Sequence, residues 1–234
     1  MRFSVRFSVA LVVVAALAVS CGTRAQAQSA AAATAGSDSY AAINPLAGVR
    51  YDNRYDLSVG MAYDHMKAGP NLLQGADLGG LDLSASYWLS RHWGVEGSGR
   101  GYFGTSGATP NTKSINGPFV SEYFFTAGPE WLGPHNRHGA LIPHVLVGGV
   151  YGRFEQDLRG NSPSVAGFYN NQVAPAVIMG GHMDLNRSAH WVFRITPDAV
   201  FTRYGINYGN KISQIDANFA ISVGIEYKFN KRRY

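Results

Sequence analysis

Charge is scarce in this chain: Asp, Glu, Lys and Arg supply 15% of its 234 residues, where ordinary soluble domains carry roughly a quarter. Such a chain has little to coat a large water-facing surface. Its 46% hydrophobic and 12% aromatic content equally excludes a disordered polar chain. Cysteine is almost missing, and the single Cys21 leaves no intramolecular disulfide to staple the fold. The apolar run from Val9 to Val19 falls short of the ~20 residues that a membrane-crossing helix needs. Excess charge of one sign is lacking too once the first residues are set aside, as follows.

MRFSVRFSVALVVVAALAVSCGTRAQAQ combines two early arginines, the apolar run and an A-x-A arrangement at Ala25–Ala27, the pattern of a secretory signal peptide. Removing residues 1–27 takes away Arg2, Arg6 and Arg24, three of 20 basic residues, leaving 17 against 15 acidic ones, a net of +2. The basic isoelectric point therefore gives no reason to expect nucleic acid as a partner. The context LAVSCG also resembles a lipoprotein signal, with Cys21 as the lipidated first residue; cleavage after Ala27 is the reading adopted, and export follows from either. Residues 28–47, rich in Ala, Ser and Gly, read as a flexible tail, which leaves 48–234 as the folded domain.

What that domain has in quantity is alternation. In QIDANFAISVGIEYKF (214–229) Ile215, Ala217, Phe219, Ile221, Val223, Ile225, Tyr227 and Phe229 are apolar, while Asp216, Asn218, Ala220, Ser222, Gly224, Glu226 and Lys228 are polar or small. A period of two belongs to a strand with two different faces, because a helical period of 3.6 would spread the apolar set around the whole circumference. The pattern recurs at 55–66 and 80–90, and further strands are expected at 93–103, 118–132, 140–154, 171–185, 190–204 and 215–229. Pro143, Pro175 and Pro197 fall inside three of these runs, where a missing donor predicts bulges or local breaks. Connections alternate: 67–79, 104–117, 155–170 and 205–214 are long, whereas 91–92, 133–139 and 186–189 are short to moderate. A meander with one trimmed and one ragged end, both termini on the trimmed side, fits an outer-membrane barrel.

Two features favour lipid over water outside. Charge is low, and Tyr55, Trp93, Phe103, Phe119, Trp131, Tyr151, Trp191 and Phe229 lie toward strand ends on the apolar parity, as interfacial girdles do. SVGIEYKF (222–229) adds a resemblance. Ser222, Gly224, Tyr227 and Phe229 are arranged like the C-terminal assembly signal of bacterial outer-membrane barrels, with NKRRY following where the family's chains usually stop. Over residues 48–229 the chain resembles small barrels of the OmpA/OmpX type. The resemblance implies an all-β, eight-stranded antiparallel up-and-down transmembrane β-barrel without a periplasmic domain, in the bacterial outer membrane. It also implies outer-membrane lipid, lipopolysaccharide and the barrel assembly machinery as partners, and a monomer.

Chemistry then has to be sought on the polar parity. An eight-stranded bore is only wide enough for side chains to fill, so a lumen network of Glu96, Arg100, Glu122, Arg194 and Asp216 is expected to plug it. Arg153 and Arg203 interrupt the apolar parity at the loop-side ends and suit lipopolysaccharide phosphates or simple snorkelling. GRGYFG (99–104) is a formal G-x-G-x-x-G with no helix after it, hence no dinucleotide site. His135 and His138 fall in a turn and His144 in the next strand, a spacing that gives no metal site. His182, Asp184 and Ser188 invite a lipid-modifying hydrolase reading, yet His182 and Asp184 would face the lumen near the short-turn end. No catalytic residue and no cofactor is expected. The function expected is structural or surface-interacting through four long polar loops, with a narrow passive channel and a lipid-modifying enzyme as alternatives.

Overall fold

The computed structural model describes residues 44–69, 75–106, 117–155, 158–208 and 210–229, with side chains at 206–214 left aside. The leader, most of the tail and the centre of the 104–117 loop lie outside the described residues. Eight strands run in chain order: β1 (Tyr55–Met66), β2 (Ala76–Trp88), β3 (Trp93–Thr105), β4 (Phe119–Trp131), β5 (Gly139–Arg153), β6 (Gln172–Asn186), β7 (Trp191–Tyr208) and β8 (Asn210–Lys228). Each pairs antiparallel with the next, and β1 closes on β8 from Asp56↔Lys228 to His65↔Phe219. Closure leaves no free sheet edge over the span that all eight strands share, the condition for crossing hydrocarbon. Among the described residues no helix is long and apolar enough to cross a membrane, so any crossing is made by strands. The shortest, β1, has 12 residues, about 40 Å of strand, which at a tilt near 40° spans roughly 30 Å.

The alternation resolves into one orientation. Met61, Phe125 and Val173 point outward at 76%, 73% and 75% exposure, and Phe219 at 38%, whereas Glu226 is 0% exposed inside. Apolar side chains therefore face out and polar ones in, which only a lipid exterior stabilises. The girdle aromatics Tyr55, Trp93, Trp131, Trp191 and Phe229 all lie outward at the short-turn end. Phe103, Phe119 and Tyr151 do so toward the other end.

Three expectations need correction. First, 205–214 is no long loop: β7 and β8 continue as a hairpin to Tyr208↔Asn210, and at 18 and 19 residues they extend past the apolar belt. Turn-forming Gly and Asn in GINYGN mask that continuation. Second, the breaks expected at the prolines are one-sided: Pro143 and Pro175 hold their places in the β5–β6 ladder opposite Gly181 and Gly149, whereas the β4–β5 and β6–β7 ladders stop one residue short of them, at Glu130↔His144 and Ala176↔Thr202. Beside Pro197 the β6–β7 pairing skips from Gly180↔Asp198 to Met183↔Ile195, a break without a bulge, since the register is the same on both sides. Third, the described part of the 155–170 loop, residues 158–170, is not solvated throughout. It folds back over the barrel, with a 3₁₀ turn at Pro163–Ala166 and with Leu158, Phe168 and Tyr169 buried.

The closing seam depends on glycine. Gly60 and Gly224 face each other across β1 and β8, and a Cβ on Gly224 would lie 2.2 Å from the Val59 carbonyl oxygen and 2.5 Å from Gly60 Cα. No other residue fits that approach without moving the backbone.

Candidate functional site

Among the described residues polar chemistry concentrates in the lumen, and register explains how. Inward positions alternate along each strand, so cross-strand neighbours meet as pairs. Asp82 lies opposite Arg100 on β2 and β3, and Asp184 opposite Arg194 on β6 and β7. The Arg194 guanidinium donates from Nε and Nη2 to the two Asp184 carboxylate oxygens at 2.8 and 3.0 Å, a bidentate fork, and also contacts Glu226 on β8. Arg100 Nη1 lies 2.6 Å from Asp198 Oδ2, and its Nε lies 3.4 Å from Asp82 Oδ1. The second Asp82 oxygen accepts from the Ser222 hydroxyl at 2.8 Å, tying the β8 seam to β2.

Glu96 on β3 reaches toward β5 and β6. Its Oε2 lies 2.7 Å from His144 Nδ1 and 3.0 Å from His182 Nε2, and those two ring nitrogens are 3.2 Å apart. On the intervening strand β4 the residue opposite Glu96 is Gly128, which puts no side chain in the way. The outer nitrogens are held as well: His144 Nε2 is 3.0 Å from Asp198 Oδ1, and His182 Nδ1 is 2.9 Å from Thr196 Oγ1. Glu96, His144 and His182 are the one metal-competent cluster found among the described residues. Spacing along the chain could not show it, because its three members come from three strands.

Toward the long-loop end the interior changes character. Tyr204 donates to Glu122 Oε1 at 2.5 Å and Tyr169 to Asp216, but the surrounding side chains are Tyr102, Phe124, Val150, Phe154 and Phe168, all buried. Ring centroids of Phe154 and Tyr204 are 5.3 Å apart at 83°, and those of Tyr102 and Phe124 5.8 Å at 88°. Burial and the Asp216 carboxylate raise the Tyr169 hydroxyl pKa. The returning loop is pinned by Tyr169 N–H to the Ala68 carbonyl at 3.0 Å and by Phe154 N–H to Asn171 Oδ1 at 2.6 Å.

The opposite mouth is closed by the segment before β1. Tyr51 donates to the Asn136 carbonyl at 3.1 Å and accepts from Asn186 Nδ2 at 2.7 Å, while the Lys228 ammonium lies 4.2 Å from its ring centroid. Burial pushes the Tyr51 hydroxyl pKa up to about 12, with the Asn186 hydrogen bond opposing the shift. Asp56 accepts from Trp88 Nε1 at 2.6 Å and from Asn53.

No protein-family profile and no curated protein matches the chain. Solved structures do. OprG from Pseudomonas aeruginosa is similar with a TM-score of 0.53 at 17% identity, covering 78% of this chain and 98% of that one. Neisserial surface protein A follows with a TM-score of 0.51 at 11% identity, over 75% and 97%. With the apolar exterior already in view, the fold is decided. The chain folds as a small outer-membrane β-barrel. At such identities the likeness shows the fold alone.

On this outer-membrane barrel the five lumen residues expected to form one network are spread along the bore. Each contacts a partner outside that set: Arg100 with Asp82 and Asp198, Arg194 with Asp184 and Glu226, Glu96 with two histidines, Glu122 with Tyr204, Asp216 with Tyr169. Arg153 and Arg203 sit toward the long-loop end of the outer face, Arg153 pairing with Glu155 at 3.2 Å. Ser222 and Gly224 face inward while Tyr227 and Phe229 face outward, the two rings 5.0 Å apart. His182, Asp184 and Ser188 form no relay. The His182 nitrogens face Glu96 and Thr196, Asp184 is held by Arg194, and the Ser188 hydroxyl accepts from the backbone N–H groups of His190 and Trp191. The His135 ring lies 4.8 Å from that of Tyr51, tilted at 57°, and His138 accepts from Arg137.

Proposed function

We propose that the protein is a non-enzymatic outer-membrane barrel with a structural or surface-interaction role, exerted through its long-loop end. What supports this reading is the filling at both ends: Tyr51 and Lys228 lie across one mouth, Phe154, Phe168 and Tyr169 pack in the other, and ion pairs occupy the bore between. The β7–β8 hairpin, extending past the apolar belt, gives the surface role something to present. Single-channel recording in planar bilayers tests it. The wild-type barrel should stay silent, and steady conductance would instead favour a narrow passive channel.

The same reading expects no turnover of labelled lipopolysaccharide; turnover that disappears in His182→Ala would favour a lipid-modifying enzyme. Arg153 and Arg203 are assigned to lipopolysaccharide phosphates, so the Arg153→Ala/Arg203→Ala double variant should co-purify with less of it. Tyr227 and Phe229, outward at the closing strand, are assigned to recognition by the assembly machinery. Maturation after Ala27 predicts Gln28 as the first residue of the exported protein, read by N-terminal sequencing, and the solubilised barrel should sediment as a monomer.

A further inference from the structure

We propose that Glu96, His144 and His182 bind one first-row divalent transition-metal ion, of the Zn(II) type, as a clamp joining β3, β5 and β6 inside the barrel. The three donor atoms lie 2.7, 3.0 and 3.2 Å from one another. An ion about 2.1 Å from each donor places neighbouring donors about 3.0 Å apart on an octahedral face and about 3.4 Å apart in a tetrahedron. Small rearrangements therefore suffice for either geometry.

Proton accounting points the same way. With a metal in place each imidazole carries a single proton, on the nitrogen away from the centre. Both of those nitrogens already face an oxygen acceptor, Asp198 Oδ1 for His144 and Thr196 Oγ1 for His182. Outer partners of this kind fix tautomer and ring orientation in histidine metal sites. Without a metal, two ring nitrogens converge on one carboxylate oxygen, and His144 has a carboxylate at each end. The other Glu96 oxygen, Oε1, is buried with no hydrogen-bond partner, in position to serve as a further ligand atom.

Charge favours a cation here. Among the described residues, ten buried side chains are Asp or Glu, against three Arg or Lys and two His, so a divalent ion offsets part of an acidic excess that protons otherwise must cover. Two imidazole nitrogens select a transition ion over Ca(II) or Mg(II), which take oxygen ligands. The plugged mouths make the role structural, since the ion is enclosed as the barrel closes.

The test refolds the full mature chain into detergent micelles with Zn(II), removes excess ion by gel filtration and counts retained metal by mass spectrometry. One ion per barrel is expected, with none retained by Glu96→Gln/His182→Gln of unchanged circular dichroism. Substoichiometric retention by the wild type overturns the proposal, as does equal retention by the double variant, which would place the ion on surface histidines. Should that variant misfold, X-ray absorption of the loaded wild type decides. Two imidazole nitrogens and a carboxylate oxygen around the ion support the site; fewer than two imidazoles overturn it. Mg(II) in place of Zn(II) should give no retained ion.

Discussion

The two halves of the lumen solve one filling problem with opposite chemistry. Near the short turns the inward positions are ionic, and Arg194, Arg100 and two histidines reach Asp184, Glu226, Asp82, Asp198 and Glu96 through contacts set by strand register. Near the long loops the same parity carries Tyr102, Phe124 and Tyr204, joined by Phe154 and Phe168 of the returning segment, with Tyr102–Phe124 and Phe154–Tyr204 packed edge to face. Strand spacing fixes partner distances where the ladder is regular, so directional ion pairs can be built there. At the loop end part of the wall is a returning segment, and non-directional apolar burial tolerates its irregular path. Ionic filling thus gives specificity of closure, and aromatic filling gives the cap.

Breaking the ionic half should cost most. Arg194→Ala leaves Asp184 and Glu226 buried without their cation, at roughly 3–5 kcal/mol, read as a lowered midpoint in urea unfolding from lipid vesicles. Arg194→Met combined with Asp184→Leu and Glu226→Gln should restore much of it, because no unpaired charge is then enclosed. A single variant as stable as wild type would remove the distinction between the halves.

The aromatic half should lose less. Phe154→Ala is expected to cost about 3 kcal/mol, the low end for truncating a buried aromatic, since its neighbours include a loop able to relax into the space. Unlike Arg194→Ala it loosens a mouth, yet the barrel should stay silent in planar bilayers, because the ion-paired bore and the Tyr51 mouth are left as they were. Tyr169→Phe is milder. It removes the hydrogen bond to Asp216 while keeping the ring, at about 1–2 kcal/mol, with faster proteolysis of the 158–168 segment as its local signature.

Most of the barrel was legible because a period of two survives from Tyr55 to Phe229. Membrane strands cannot hide which face is buried, and Glu96, Arg100, Glu122, Arg194 and Asp216 are all inward as parity requires. Their partners were not legible. Cross-strand pairs such as Asp184 and Arg194 need the register, and the Glu96 cluster also needs the curvature that brings β3 near β6. The hairpin beyond Tyr204 was missed because Gly and Asn signal turns wherever they stand. The loop cap was missed because FEQDLRGNSPSVAGFY looks polar on average, although Phe154, Leu158, Phe168 and Tyr169 give it an apolar side.

The smallest effect lies outside the membrane span, at the mouth held by Tyr51. Its hydroxyl pKa is raised to about 12 in the folded barrel from an unfolded value near 10, so between those values the unfolded chain has lost a proton that the folded one keeps. Stability contributed by the neutral hydroxyl is therefore complete below pH 10 and is lost as pH rises through about 12. Because the ring is only half-buried, solvent screening reduces the size to about 1 kcal/mol or less. In vesicle unfolding titrations Tyr51→Phe should flatten that alkaline decline while leaving the profile below pH 9 parallel to wild type. If the decline persists in Tyr51→Phe, loop-end tyrosines such as Tyr169, also shifted upward, carry it, and the two mouths exchange places as the alkaline weak point.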